Sequence, residues 1–445
     1  MSTVTSPADL PVVVLGAGPV GLAAAAHLHA RSLPFVVLEA GPHAGAAVTD
    51  WGHVRLFSPW RWTVDAAARA LLDDAGWTAP DPGALPTGAD LVAQYLRPLA
   101  AVPALAPHVR YGERVVAVAR RDVDVVRTAG REASPFVVRL ESGEELLGRA
   151  VVDASGTWRT PNPLGGNGLP ALGEGTEVAV EPALPDVPGA DRDRFAGRHT
   201  LVVGSGHSAA GTLAALVDLA AQAPGTEVTW AVRRGSAEHA FGGGTADALP
   251  ARGELGATLQ TLVAGGAVRL VTGFAVHALA RTADGRVAVT STGGDALVVD
   301  RVVAATGFRA DHGLTTELRL DVDPVLGATR ALAPLIDPNE HSCGTVPPHG
   351  VDELSHPEAG YYVVGMKSYG RAPTFLMATG YEQVRSVAAA LAGDWAAARE
   401  VHLDLPETGV CSGVPDALGT WAAGAPGPSL LPVGAGPATG AACCG

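Results

Sequence analysis

Three glycines near the N-terminus have the spacing of a phosphate-binding turn. Gly16, Gly18 and Gly21 directly follow Val12–Leu15, an apolar run typical of a strand buried on both faces of a parallel sheet. In such a turn the first glycine permits the tight bend, the second lets the backbone approach a pyrophosphate, and the third lets the next helix lie close to the strand. The pyrophosphate would sit at the N-terminus of a helix beginning at Pro19. The spacing therefore predicts a dinucleotide site.

The next predicted strand carries a residue that would select among dinucleotides. Phe35–Leu38 is apolar and ends at Glu39, 18 residues beyond Gly21. A carboxylate at this position can accept hydrogen bonds from ribose hydroxyls, and it would repel a 2′-phosphate. The first site is therefore expected to hold FAD or NAD.

The same pattern returns in the middle of the chain. A second apolar strand, Thr200–Val203, runs into two glycines and a third small residue, with an apolar helix after them. The residues of this second turn that we expect to contact the cofactor are Gly204, Gly206, His207, Ser208 and Ala209.

The strand after the second turn is followed by basic residues rather than by an acidic one. Glu227–Val232 is followed by Arg233 and Arg234. Guanidinium groups can bind a 2′-phosphate in a bidentate fashion, although solvated surface charge is the alternative interpretation. The second site is therefore predicted to bind NADPH, which leaves FAD to the first.

Each turn is also followed by a later apolar strand that ends in a small-residue turn. Ala150–Asp153 leads into Ser155 and Gly156, and the strand after Asp300 leads into Thr306 and Gly307. This internal duplication predicts an α/β fold with two Rossmann-like three-layer domains, each built on a parallel sheet. Short strands between them predict small β-meanders and hairpins: Val115–Ala119, Phe136–Leu140, Glu145–Leu147, Val268–Val271, Val276–Ala280 and Val287–Thr290.

A cluster of tryptophans and arginines follows the first site. The segment from Asp50 to Trp62 contains three tryptophans together with Arg55 and Arg61. Such side chains can stack on a planar ligand and hydrogen-bond to it, and Trp60 and Arg61 are our candidates; a packed aromatic loop is the other interpretation.

Composition limits the class of partner. The chain has 445 residues, with 31 basic against 45 acidic side chains, which argues against a nucleic-acid or anionic membrane surface and favours small molecules. Its most apolar run is interrupted by Gly and Pro and is too short to span a bilayer, so we expect a cytoplasmic protein. The histidines show no paired spacing for a metal ligand set, and no Cys-x-x-Cys pair occurs.

These motifs together resemble flavoproteins with two dinucleotide-binding domains, of the flavin-containing monooxygenase, Baeyer–Villiger and thioredoxin-reductase kind. The resemblance covers about residues 10–395 and implies FAD and NADPH as cofactors. It also implies an FAD domain built from both ends of the chain, 10–162 and 297–400, and an inserted NADPH domain, 163–296. From about Glu407 the chain is rich in Gly, Ala and Pro with little periodicity, so 401–445 is predicted to be a flexible tail. Gly365 and a helix from Thr379 would then lie beside the flavin ring, with the starting strand of the meander, at Val115, near the same cofactor. Lys367, Tyr369 and Arg371 would be catalytic candidates together with Arg61, because a cation near the ring can stabilise negative charge on reduced flavin.

The missing redox dithiol separates the members of this group. Thioredoxin and disulfide reductases need a cysteine pair near the flavin, whereas a monooxygenase needs NADPH, oxygen and a flavin peroxide to oxygenate a small soft or nucleophilic substrate. A monooxygenase is therefore expected. A reductase that passes electrons to a small acceptor or carrier protein, and a non-catalytic redox sensor, remain alternatives.

The tail adds one more resemblance. Cys411 and the vicinal pair Cys443 and Cys444 look similar to features of flavin-dependent monooxygenases in bacterial arsenic resistance and of mercuric reductase tails. Thiolates bind soft ions and trivalent arsenic, which would make these cysteines candidate metalloid ligands.

Overall fold

Two parallel sheets, each covered on one face by a small antiparallel sheet, carry the fold. The computed structural model describes residues 9–242, 247, 249–340, 346–373 and 375–403. The four cysteines and nearly all of the predicted flexible tail lie outside these residues. Among the described helices, none combines the length and apolarity required to cross a bilayer.

The strands in chain order are β1 Val12–Leu15, β2 Phe35–Glu39, β3 Val109–Tyr111, β4 Val115–Arg120, β5 Phe136–Leu140, β6 Glu145–Gly148, β7 Ala150–Asp153, β8 His199–Val203, β9 Glu227–Ala231, β10 Arg269–Val271, β11 Val276–Arg281, β12 Val287–Ser291, β13 Ala296–Val299, β14 Arg301–Ala304 and β15 Tyr361–Val363.

The α-helices are α1 Pro19–Ala30, α2 Ala46–Thr49, α3 Ala66–Asp74, α4 Gly88–Leu91, α5 Arg97–Ala101, α6 Arg192–Phe195, α7 His207–Ala220, α8 Pro250–Ala264, α9 Ala333–Ile336, α10 Val351–Leu354, α11 Met377–Leu391 and α12 Trp395–Arg399. Shorter 3-10 turns include Trp60–Trp62 and Gly365–Tyr369, and Val92–Leu96 is a π-helical segment between α4 and α5.

The first parallel sheet has the strand order β15-β7-β1-β2-β3. Its two faces are buried in different cores, because successive side chains of a strand point to opposite faces. Val12 and Val14 pack with α1, α3 and α11, while Val13 and Leu15 pack against the antiparallel sheet β4-β5-β6. Burial on both faces explains why β1 is apolar at every position.

The second parallel sheet repeats this arrangement with the order β10-β9-β8-β14. Val202 packs with α7 and α8, whereas Leu201 and Val203 pack against the antiparallel sheet β11-β12-β13. The predicted α/β class, the duplication and the three-layer domains are therefore confirmed.

Strand pairing corrects one predicted hairpin and bears on the predicted boundary of the inserted domain. Val268–Val271 was predicted as part of a hairpin, but Arg269–Val271 lies in the second parallel sheet beside β9, a pairing between segments that are distant in sequence. Arg301–Ala304 pairs with β8, although the predicted boundary at residue 296 assigned it to the FAD part of the chain. We therefore propose to end the inserted segment after β14.

Candidate active site

The first glycine turn is closely packed at two of its three glycines. Gly16 has a φ of +97°, and a Cβ on it would lie 2.9 Å from the carbonyl oxygen of Ala154. A Cβ on Gly21 would lie 2.0 Å from the carbonyl oxygen of Gly16. A Cβ on Gly18 would meet no atom within 4 Å, so the space in front of this residue is open. The fold itself requires Gly16 and Gly21, while Gly18 leaves room for a ligand.

Glu39 closes this turn from the end of β2. Its Oε2 accepts a hydrogen bond from Ala17 N–H at 2.7 Å, and its Oε1 accepts one from Gly41 N–H at 2.7 Å. Both carboxylate oxygens retain further lone pairs, which could accept ribose hydroxyls. Glu39 therefore holds the shape of the turn in addition to any contact with a ligand.

The second turn has the same form with one difference. Gly204 has a φ of +132°, and a Cβ on it would lie 2.0 Å from the carbonyl oxygen of Ala305. Gly206 again faces open space. Ala209, in the third position, is completely buried with its methyl group in place, so the second turn tolerates a side chain where the first does not.

His207 starts α7 at the second turn and faces the aromatic loop of the first half. Its ring lies 5.1 Å from the ring of Phe57, edge to face. Partial enclosure by protein lowers the pKa of His207, and the charge of Arg252 lowers it further. A neutral imidazole is thus favoured where the two halves meet.

The two arginines expected at the 2′-phosphate are exposed beyond the end of β9. Arg233 Nη1 donates to the carbonyl oxygen of Gly166 at 3.3 Å. Neither Arg233 nor Arg234 lines the large cavity beside the two turns.

One cavity of about 1460 Å³ extends from the first turn to His207 and Ser208 at the start of α7, while Gly204 and Gly206 are not among its lining residues. Its volume exceeds the roughly 300–1,000 Å³ of typical ligand pockets, and so allows for more than one small ligand. The predicted residues that line it are Gly16, Gly18, Pro19, Glu39, Arg55, Val115, Ser155, Gly156, His207, Ser208, Gly365 and Lys367. Apolar side chains outside the predicted set also line it, namely Phe57, Trp158, Phe308, Leu314, Met366, Phe375 and Met377, as do charged residues such as Arg114, Arg159 and Asp311.

Several predicted site residues lie elsewhere. Trp60 is buried in the core that α1, α3 and α11 form on one face of the first sheet. The Arg61 guanidinium lies over the Trp62 ring at 4.4 Å. Tyr369 is buried against Phe375, with ring centroids 5.2 Å apart. None of Trp60, Arg61 and Tyr369 lines the cavity, so their contact with a cofactor stays a prediction.

The remaining displaced candidates have other partners. Thr306 Oγ1 donates to the carbonyl oxygen of Asn162 at 2.6 Å, and Asn162 N–H donates to the carbonyl oxygen of Gly307 at 2.9 Å, so this turn binds the segment that crosses between the sheets. Thr379 is buried within α11, which begins at Met377. Arg371 is exposed and does not line the cavity.

A buried ion pair lies at the carboxyl end of β7. Lys367 Nζ donates to Asp153 Oδ2 at 2.7 Å and to Ser155 Oγ at 3.1 Å. Burial opposes ionisation of Asp153, but the Lys367 ammonium and hydrogen bonds from Ser155 and Tyr361 outweigh it and hold the pKa of the carboxyl below its ordinary value. Asp153 was missed as a site residue, although a charged residue in an otherwise apolar strand was a visible signal.

The described residues fit two dinucleotides. No side chain caps the N-terminus of α1 or of α7, so their first N–H groups are available to an anion in front of Gly18 and Gly206. The open space at both glycines and the size of the cavity agree with this use.

Comparison with known proteins gives the same class. A sequence profile named pyridine nucleotide-disulphide oxidoreductase matches residues 13–329. A ferredoxin–NADP reductase of Salinispora tropica is 31% identical over 317 residues, which are 70% of this chain and 79% of that protein. The indole-3-pyruvate monooxygenase YUCCA1 of Oryza sativa subsp. japonica is 31% identical over 217 residues, but these span only 42% of its length and 44% of this chain.

A solved structure shows the same fold. The bacillithiol disulfide reductase of Bacillus cereus superposes with a TM-score of 0.62 at 18% identity, covering 86% of this chain and 99% of that one. The chain therefore belongs to the pyridine nucleotide-disulphide oxidoreductase family, as a flavin-dependent oxidoreductase whose cofactors are FAD and NADP(H).

Proposed function

We propose that this protein is an NADPH-dependent FAD monooxygenase that oxygenates a small soft or nucleophilic substrate. The observation that carries the proposal is the cavity that extends from the first turn to α7, whose wall is mainly apolar with charged side chains among its lining residues, and which has no thiol among its described lining residues. A substrate held there would be shielded from water next to both cofactors.

The first turn would hold FAD and the second NADPH. Gly18 and the N-terminus of α1 would receive the FAD pyrophosphate, and Glu39 would accept the ribose hydroxyls. Gly206 and α7 would receive the NADPH pyrophosphate, with Arg233 and Arg234 at the 2′-phosphate. Bound FAD supplies hydride acceptance and oxygen activation.

The chain's own residues would orient and enclose the reactants. Phe57 and His207 meet where the halves join, so they would limit the space between the two cofactors. Gly365, with a φ of +70°, is held by Gln383, whose Oε1 accepts its N–H at 2.8 Å. This fixed turn presents Lys367 to the cavity wall.

A dithiol mechanism is disfavoured by the sequence itself. Residues 13–329, which the family profile matches, contain no cysteine. Exchange with a disulfide substrate through a protein dithiol would need a cysteine pair beside the flavin. A reductase that passes electrons to a carrier needs no cysteine, and the similarity to a ferredoxin–NADP reductase favours it as the second candidate.

Oxygen separates the two candidates. The purified protein would be checked for bound FAD by its absorption spectrum, and NADPH oxidation, oxygen uptake and hydrogen peroxide release would be followed together. A monooxygenase consumes oxygen in step with product and releases little peroxide. Full turnover without oxygen, given a ferredoxin or a small acceptor, would refute oxygenation, while no turnover under either condition would favour a sensor.

A link to arsenic resistance is part of the proposal for the tail alone. Cys411, Cys443 and Cys444 lie outside the described residues, so the proposal rests on thiolate chemistry and on the resemblance stated above. Arsenite binding by the full chain would be compared with that of a Cys443→Ser, Cys444→Ser variant by mass shift. Equal binding by both proteins would remove the pair from the proposal.

A further inference from the structure

The buried ion pair of Lys367 and Asp153 joins the two separate parts of the first domain at the cavity. Asp153 ends β7, and Lys367 lies in the 3-10 turn that follows β15. Asp153 is completely buried and Lys367 is 2% exposed. Among the described residues that line the cavity, Lys367 is a cation with almost no solvent contact of its own.

Hydrogen bonds fix the charge of the carboxylate. Asp153 Oδ2 accepts from Lys367 Nζ at 2.7 Å and from the Tyr361 hydroxyl at 2.8 Å. Asp153 Oδ1 accepts from the Ser155 hydroxyl at 2.6 Å and from the Ser155 N–H at 3.1 Å. Four donors occupy the roughly four lone-pair sites of a carboxylate, which leaves no place for a proton. Asp153 is therefore an anion in the folded protein.

The ammonium is only partly satisfied. Its two hydrogen bonds go to Asp153 Oδ2 and Ser155 Oγ, and within the described chain it has no third acceptor. Replacing such a pair with apolar residues is often neutral or stabilising, so stability alone does not explain its position at a cavity wall. A buried ion pair beside a ligand site is instead a candidate for acting electrostatically on the bound ligand.

We propose that Asp153 is a positioning residue that holds Lys367 at the cavity wall, and that the balance of their two charges sets the reduction potential of the bound flavin. This inference rests on the proposed assignment of the first turn to FAD. With both charges present the pair is close to neutral. Removing one charge alone would leave the other acting on the flavin at short range and in a medium of low polarity, where charges interact strongly.

The two members should therefore shift the potential in opposite directions. Asp153→Asn leaves the cation, which favours the electron-rich reduced flavin and raises the potential. Lys367→Met leaves the anion and lowers it. We expect at least a tenfold change in the ratio of reduced to oxidised flavin at a fixed ambient potential in each case, which is about 30 mV for a two-electron couple.

The experiment measures the potential of the bound FAD spectroscopically against reference dyes. Asp153→Asn and Lys367→Met are each compared with wild-type protein in the same buffer. Tyr361→Phe keeps both charges, and the double variant Asp153→Asn, Lys367→Met keeps neither; both should stay near the wild-type potential.

Opposite shifts would support the inference. Shifts of the same sign, or an unchanged potential in a folded single variant, would overturn it. An ion pair that only stabilises the fold would change the free energy of unfolding without shifting the flavin potential in opposite directions. If one single variant does not fold, the sign in the other decides. Wild-type protein that binds no FAD would overturn the proposed function and this inference together, whereas bound FAD with unshifted potentials would overturn only the inference.

Discussion

The two glycine turns share the order strand, turn, helix, but they differ in how closely the helix approaches the strand. In the first turn a Cβ on Gly21 would lie 2.0 Å from the Gly16 oxygen. In the second turn the equivalent Ala209 keeps its Cβ and is still completely buried. The same local pattern therefore has two degrees of tightness, and only the first requires all three glycines.

The charged residues at the ends of β2 and β9 also differ in how much they contribute to the fold. Glu39 accepts two backbone hydrogen bonds at the turn, so it stabilises the fold and is also a candidate ribose ligand. Arg233 and Arg234 are exposed and lie outside the cavity, so their contribution should fall mainly on the ligand. Changes at Glu39 should affect folding and FAD together, and changes at Arg233 or Arg234 should affect NADPH alone.

The largest difference is expected at the third position of the turns. Gly21→Ala should destabilise the protein by about 3 kcal/mol and abolish FAD retention, because the new methyl overlaps a backbone oxygen. The matched change Ala209→Gly should cost only about 1 kcal/mol, from helix propensity, and leave FAD in place. Urea denaturation and the flavin content of the purified variants measure both quantities, and equal losses would contradict the comparison.

The next effect concerns the choice of nicotinamide cofactor. Arg233→Ala should reduce kcat/KM for NADPH about tenfold to a hundredfold, since a charged hydrogen bond contributes about 1.5–3 kcal/mol, and should leave kcat/KM for NADH unchanged. Arg281→Ala is the matched control, because Arg281 is also exposed, lies outside the cavity and donates to a backbone carbonyl, that of Gly285; it should change neither value. An equal loss with NADPH and NADH would show that Arg233 does not bind the 2′-phosphate.

A smaller effect is expected at Glu39. Glu39→Gln keeps one acceptor oxygen but loses one of the two bonds to Ala17 and Gly41, which should weaken FAD binding about fivefold, or about 1 kcal/mol. The preference for NADPH over NADH should not move. Equilibrium dialysis measures FAD binding, and steady-state assays with NADPH and NADH measure the cofactor preference. A changed preference for NADPH would contradict the assignment of Glu39 to the FAD site.

The smallest effect on folding is expected at the open glycines. Gly18→Ala and Gly206→Ala meet no protein atom within 4 Å and have negative φ angles, so they should raise the free energy of unfolding of the apoprotein by about 0.4–1 kcal/mol. Each should nevertheless weaken one cofactor, FAD at Gly18 and NADPH at Gly206. Loss of apoprotein stability, or loss of the other cofactor, would contradict this division.

Local patterns made most of the fold predictable. The apolar strands, the glycines beside them and the duplication follow from short segments, and the structure confirms them. The pairing of β10 with β9 depends on contacts between distant segments, which no local pattern encodes.

The site was predictable where backbone geometry dictates the residue, as at Gly16, and less so where side-chain direction decides. Phe57 lines the cavity while Trp60, three residues later in the same loop, packs into the core. Tyr369 and Lys367 are two residues apart in one 3-10 turn, yet only Lys367 reaches the cavity. Such choices depend on packing against the rest of the fold.

The most direct measurement is the reduction and reoxidation of the bound flavin, followed by its visible absorbance. The protein would be titrated without oxygen with NADPH or with NADH, and oxygen would then be admitted with no other acceptor present. We expect NADPH to bleach the flavin at concentrations at least tenfold lower than NADH, and oxygen to restore the absorbance. Equal reduction by both nucleotides, or a reduced flavin that only a carrier reoxidises, would contradict an FAD site at the first turn that serves NADPH and oxygen.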